Sequence, residues 1–298
     1  MLAVADAQNR VALFHHTAYR YDRPVALSPH EIRLKPAPHC RTPIHSYSLE
    51  VLPEEHRTHW RHDIYGNSVA RCVFSGRTRE LDIRVELSAD VTPLNPFDFL
   101  VDPVAEKFPF AYPEPKARDL APFLAVESTG PLFGRAAEQC RARHAGAPTV
   151  GFLVALTSGL HRDIAYRERM DPGVQATELT LAAQSGSCRD SSWLLVQLLR
   201  KLGVAARFVS GYLIELAGDA KAPDAGEPQR DYAGLHAWAE AYIPGAGWIG
   251  LDPTSGLLAA ERHIPLACAT SPQGAAAITG TTEPCRSGIE FEMRATRI

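Results

Sequence analysis

Residues 184–203 read QSGSCRDSSWLLVQLLRKLG: small polar residues and a glycine, then a cysteine, then an apolar run that ends at a second glycine. Apolar side chains at 193, 194, 195, 196, 198, 199 and 202 recur at helical spacing over an arc too wide for a surface helix. The pattern predicts a buried helix over 188–203, stopped by Lys201 in its last turn and Gly203 just beyond. Cys188 then falls in the first turn, where unpaired backbone N–H groups and the positive end of the helix dipole favour an anion. A thiolate is the reactive form of cysteine and is stabilised in such a position. The same N–H groups, that of Cys188 first among them, can donate to the oxyanion of a tetrahedral intermediate, and Gln184 is a candidate side-chain donor. Free cysteine is also among the most buried residue types, so helix position alone does not separate a nucleophile from a packed thiol.

Partners are needed to decide the matter. Ser191 and Ser192 lie three and four residues on, on the face of Cys188, and their small size predicts a close approach by a sheet. Strand signals follow at AARFVSGYLIEL (205–216), HAWAEAYI (236–243) and GWIGLD (247–252). A helix followed by three strands predicts an α+β core, a nucleophile helix packed on an antiparallel sheet. In HAWAEAYI, His236, Trp238, Glu240 and Tyr242 share one face; in GWIGLD, Trp248, Gly250 and Asp252 share one face. Two neighbouring strands would thus present an imidazole and a carboxylate side by side. A catalytic thiol needs a general base, and the base an orienting partner. These roles fall to His236 and Asp252.

Ahead of this core the period is two. SYSLEVLP (46–53), the pair of segments around YGNS in RTHWRHDIYGNSVARCVFSG (57–76), and TRELDIRVELSADV (78–91) alternate apolar with polar residues, which predicts a β-rich N-terminal domain over 1–92. A Pro- and aromatic-rich stretch over 93–130 reads as a connector packed over the surface by its Phe and Tyr side chains. Helical spacing returns at 131–143 and 150–164, so the catalytic core is taken as 131–298.

The 298 residues carry a net charge of −3, 45% apolar and 22% charged residues, the composition of a soluble globular protein. No basic excess or run of like charge offers a polyanion a surface, so nucleic acid is not expected as a partner. The N-terminus does not read as a signal peptide and no apolar run reaches membrane-spanning length. Six cysteines without a CxxC pair, and no secretion signal, predict free thiols in a reducing cytoplasm.

The order Cys188, His236, Asp252, in the contexts GSCRDSSWLLVQLLRKLGVAARFVSGY, HAWAEAYIPGAGW and GLDPTSG, resembles the transglutaminase-like superfamily, in particular its bacterial branch described as cysteine proteases. HHTAYRYDRPVALSPHEIRLKP and HDIYGNSVARCVF resemble that branch's β-rich N-terminal domain. The resemblance implies a papain-like α+β core with Cys188 as nucleophile, His236 as base and Asp252 as orienting acid. It implies no cofactor and no metal, and a peptide or protein substrate. Family members include peptidases, cross-linkers, deamidases and inactive scaffolds. The expected activity is therefore a cysteine-dependent protease or amidohydrolase; a protein-glutamine transamidase and an inactive binding or assembly module are the alternatives.

Other features are weaker. His56, His59 and His62 in HRTHWRH sit on a strand pattern that sends His59 and His62 to opposite faces, against a metal site. His15 and His16 are expected to be structural, and the cysteines other than Cys188 inert. Trp193 and Trp238 read as packing residues, with Trp238 kept as a candidate for the substrate site. Asp190 is expected to interact with the helix dipole, and Arg189 is a candidate substrate contact. The small and charged residues of 217–231 suit a movable flap.

Overall fold

The computed structural model describes residues 9–217 and 231–298; the suggested flap lies almost wholly outside them. The N-terminal region forms β1 (Arg10–Ala26), β2 (His30–Ile32), β3 (Ile44–Leu52), β4 (His56–His62), β5 (Ser68–Phe74) and β6 (Arg77–Asp90). Then come α1 (Lys116–Asp119), α2 (Ala121–Leu124), α3 (Pro131–His144), α4 (Thr149–Asp163), β7 (Ala165–Tyr166), α5 (Thr177–Ala183), β8 (Ser185–Gly186) and α6 (Cys188–Lys201). The chain continues through β9 (Ala206–Glu215), β10 (Tyr232–Ile243), β11 (Gly247–Asp252), β12 (Leu257–Leu258), β13 (His263–Ala269), β14 (Ile278–Thr279) and β15 (Ser287–Arg297).

The central sheet has the order β12-β11-β10-β9-β13, and α6 lies against β10 and β9. Leu194, Leu195, Leu198 and Leu199 are buried and share a core with Ala237, Ala239 and Ala241 of β10. Burying a leucine contributes about 2 kcal/mol, and the alanines let helix and sheet come close. Ser192 Oγ donates to the Ala237 carbonyl at 2.9 Å, pinning the helix to the strand one residue from His236. Burial on all sides is compatible with Ser192, Gln197 and Arg200 of α6 because their side chains bond the backbone of other segments. Gln197 accepts from the N–H groups of Glu127 and Ser128, and Arg200 donates to the carbonyls of Ala125, Ala206 and Thr270.

The N-terminal region builds two four-stranded sheets, β15-β1-β6-β3 and β14-β2-β5-β4. Leu81, Ile83, Val85 and Leu87 of β6 are buried, as their alternation predicts. Their core includes Tyr212, Ile214, Ile264 and Leu266 of the central sheet. Polar contacts join the regions. His15 bonds Tyr212 Oη and Thr17 Oγ1, each at 2.8 Å, and burial lowers its pKa to about 4, with His16 adding to the effect. The YGNS turn docks by Asn67, which pairs with both the N–H and the carbonyl of Cys268 at 2.8 Å. HRTHWRH is β4, antiparallel to β5.

One boundary differs from expectation. β14 and β15, inside the span taken as catalytic core, pair with β2 and β1 and complete the N-terminal sheets. β1 is seventeen residues long, and its edge away from β6 would otherwise present a row of unpaired backbone groups. The connector, too, does more than lie on the surface. Phe108 is buried and stacks on Phe152 with centroids 3.9 Å apart. Tyr112 Oη donates to the Tyr242 carbonyl and accepts from Ala205 N–H.

Candidate active site

Each residue of QSGSC has a local reason. Gln184 ends α5 in the left-handed conformation with φ 49° and is exposed; its carbonyl accepts from Ala165 N–H. Gly186 admits no side chain, since a Cβ there would lie 2.9 Å from Asp190 Cβ. Ser187 is the N-cap of α6 and Cys188 its first residue. The cysteine is half-buried, with a free thiol.

Asp190 holds this turn together. It is fully buried and accepts from Ser187 N and Oγ at 2.9 and 2.8 Å, Gln175 N at 2.7 Å, and both Arg169 Nε and Nη2 at 3.1 Å. Burial alone would raise its pKa, but Arg169 and the donors from Gln175 and Ser187 bring it to about 2. Its role is therefore wider than the expected interaction with the helix dipole. Arg189 donates to the carbonyls of Arg169 and Asp171, so it braces the preceding loop.

His236 and Asp252 meet as the two strand faces predict. The β10–β11 ladder runs as far as Ala239 opposite Leu251, and just past it His236 Nε2 lies 3.1 Å from Asp252 Oδ2. Both are buried, Asp252 at 1% exposure. Burial pushes the His236 pKa down, but the Asp252 carboxylate and then the Cys188 sulfur raise it to about 10. With Nε2 engaged by Asp252, Nδ1 is the nitrogen left for Cys188. Burial would raise Asp252, yet His236 and His263 hold it well below the usual carboxylate range. Thr254 N–H donates to Oδ1 at 2.8 Å and Ser255 Oγ–H to Oδ2 at 3.1 Å.

His263 was not singled out by the sequence. Its Nε2 lies 3.1 Å from the same Asp252 Oδ2. Nothing in HIPLACA marks it among twelve histidines; it becomes visible only when β13 is placed. Among the described residues, His236, Asp252 and His263 are the one group with metal-binding spacing, their ligand atoms lying within 4.8 Å of one another. Hydrogen bonds to a common oxygen already satisfy them. Trp238 is 1% exposed and packs edge-on against His263, ring centroids 5.2 Å apart. A Cβ on Gly211 would lie 2.4 Å from its ring. Trp238 also lines a cavity of about 260 Å³ with His39, Glu240, Trp248 and His263. A smaller cavity of about 70 Å³ lies beside Ser191, Tyr166 and Thr254.

The family follows from the sequence matches. Residues 137–253 match the model of the transglutaminase-like superfamily, and residues 11–90 that of the bacterial transglutaminase-like N-terminal region. The chain belongs to the transglutaminase-like superfamily, with a mixed helix and sheet core and a β-rich N-terminal region. It is 28% identical over 263 residues to the uncharacterised protein Rv2569c of Mycobacterium tuberculosis, covering 86% of this chain and 82% of that one. The uncharacterised protein ML0607 of Mycobacterium leprae is 24% identical over 275 residues, with 86% of each chain covered. A candidate cysteine protease from Cytophaga hutchinsonii, known from its crystal structure, superposes with a TM-score of 0.67 at 18% identity, over 96% of this chain and 90% of that one. At that identity the likeness concerns the fold.

Proposed function

We propose that the protein is a cysteine-dependent acyl-transfer enzyme, a protease or amidohydrolase, in which Cys188 is the nucleophile, His236 the acid–base and Asp252 the group that orients it. The observation that carries this reading is the buried His236–Asp252 pair, its histidine raised to about 10 by Asp252 and Cys188 against the opposing effect of burial. A histidine so raised holds its proton at neutral pH, ready for the leaving group. The thiolate attacks the carbonyl carbon of a peptide or side-chain amide, and the oxyanion takes hydrogen bonds from N–H groups at the start of α6. His236 gives its proton to the departing amine or ammonia, leaving a thioester on Cys188. Water, deprotonated by His236, attacks the thioester and releases the acid. No cofactor or metal enters these steps.

Hydrolysis comes first because water is the default acceptor. The proposed substrate is a peptide or protein. The six cysteines, all with free thiols, suit a reducing compartment such as the cytoplasm. Incubating the protein and its Cys188→Ala variant with a peptide library, with and without an added amine, and following products by mass tests the reading. Cleavage or deamidation that vanishes in the variant is the expected result. Cys188-dependent incorporation of the amine would reassign the protein as a transamidase, and no Cys188-dependent product at all would make it a binding module.

A further inference from the structure

Asp252 Oδ2 receives two histidines, of which the acyl-transfer chemistry uses one. The other, His263, opens β13 opposite Leu213 of β9, at the far edge of the sheet from β12. The chain crosses from β12 to β13 through residues 259–262. Gly250 gives that crossing room, since a Cβ there would lie 2.6 Å from Ala259 Cβ. His263 Nδ1 faces Ala260 N–H at 3.4 Å, which makes Nδ1 the acceptor and places the ring proton on Nε2. Nε2–H therefore donates to Asp252 Oδ2 at 3.1 Å. The edge-on Trp238 fixes the plane of the His263 ring.

The other donors to Asp252 leave it underdetermined. Thr254 and Ser255 belong to its own turn and move with it, and His236 is the group to be positioned. Among the described residues, His263 is the one donor besides His236 that ties the carboxylate to a separate strand. We propose that His263 is a positioning residue of the acyl-transfer site, a clamp that keeps Asp252 Oδ2 on His236. The inference rests on the function proposed above. It adds a fourth side chain to the site, one that touches no substrate and acts through Asp252.

Two variants isolate the hydrogen bond from the volume of the ring. His263→Leu fills the space without a donor, and His263→Gln keeps an N–H. Each is compared with wild type and with His236→Ala by two readouts: the rate of iodoacetamide alkylation at Cys188, located by peptide mass, and kcat and KM on a peptide taken from the library. His263→Leu is expected to lower kcat and the alkylation rate on the order of 10-fold with KM unchanged, while His263→Gln recovers most of both. Equal behaviour of the Leu and Gln variants, or a loss that follows only the folded fraction measured by circular dichroism, would overturn the clamp even where His236→Ala slows alkylation as expected. Loss of activity on chelation with EDTA would overturn it in favour of a metal held by the three residues. If His236→Ala alkylates like the wild type, the function proposed above fails, and the clamp with it.

Discussion

Two buried aspartates stand behind the reactive end of α6, and they are held in different ways. Asp190 lies against a permanent cation, Arg169, and against N–H groups that do not titrate. Asp252 lies against His236, the acid–base of the proposed chemistry, and against the ring N–H of His263. The first arrangement fixes a loop and a helix start whatever the protonation state of its neighbours. The second couples a charge to a proton that can be taken and returned. Burial would raise both carboxyls, and both are held ionised; what separates structural from chemical use is the kind of partner.

Substitution should separate them sharply. Asp252→Asn keeps the shape but presents an amide to His236, which favours the wrong ring tautomer, and turnover should fall on the order of 10³-fold or more. Asp190→Ala strands Arg169 and the donors of the helix cap, and should cost about 3 kcal/mol in denaturant unfolding. An Asp252→Asn protein with full turnover, or an Asp190→Ala protein of unchanged stability, would erase the contrast.

The pH dependence of stability sharpens the same comparison on opposite limbs. Asp190 is depressed from 3.8 to about 2, so its contribution is complete above about pH 4 and is lost as pH falls toward 2, amounting to about 2 kcal/mol. His236 is raised from 6.5 to about 10, so its contribution is complete below about pH 6.5 and is lost as pH rises through 10. Unfolding measured across both limbs should lose the share of Asp190 in the acid part in Asp190→Ala and flatten the alkaline part in Asp252→Asn. An alkaline limb that persists unchanged in Asp252→Asn would show that the pair does not set it.

The sequence makes the site more legible than its supports. Cys188, His236 and Asp252 can be read because periodicity puts Cys188 at the start of α6, Asp252 at the end of β11 and His236 on one face of the neighbouring strand β10. Ser192 is read correctly as a point of close approach, because a small residue on the sheet-facing side of a buried helix has few other uses. Asp190 looks like an ordinary helix-start carboxylate, because Arg169 and Gln175 come from a loop whose path no period reveals. His263 is invisible for a similar reason: the crossing of residues 259–262 brings it to Asp252, and no local pattern encodes that path. β15 is missed because most of it is exposed, Ile289 and Phe291 included, so its alternation carries no sign of which edge it joins. Gln184 shows the limit from the other side. Its place beside the thiol in sequence suggests an oxyanion donor, while its conformation and exposure fit the end of α5.

The central claim is that Cys188 takes an acyl group with the help of His236 and Asp252, and trapping that group tests it most directly. The protein, His236→Ala and Asp252→Asn would each be treated briefly with a p-nitrophenyl acyl ester at neutral pH, quenched in acid and mapped by peptide mass. A hydroxylamine-sensitive acyl adduct is expected on the Cys188 peptide of the wild type, forming far more slowly in both variants. Adducts spread over the six cysteines, or acylation of Cys188 at the same rate in all three proteins, would contradict it.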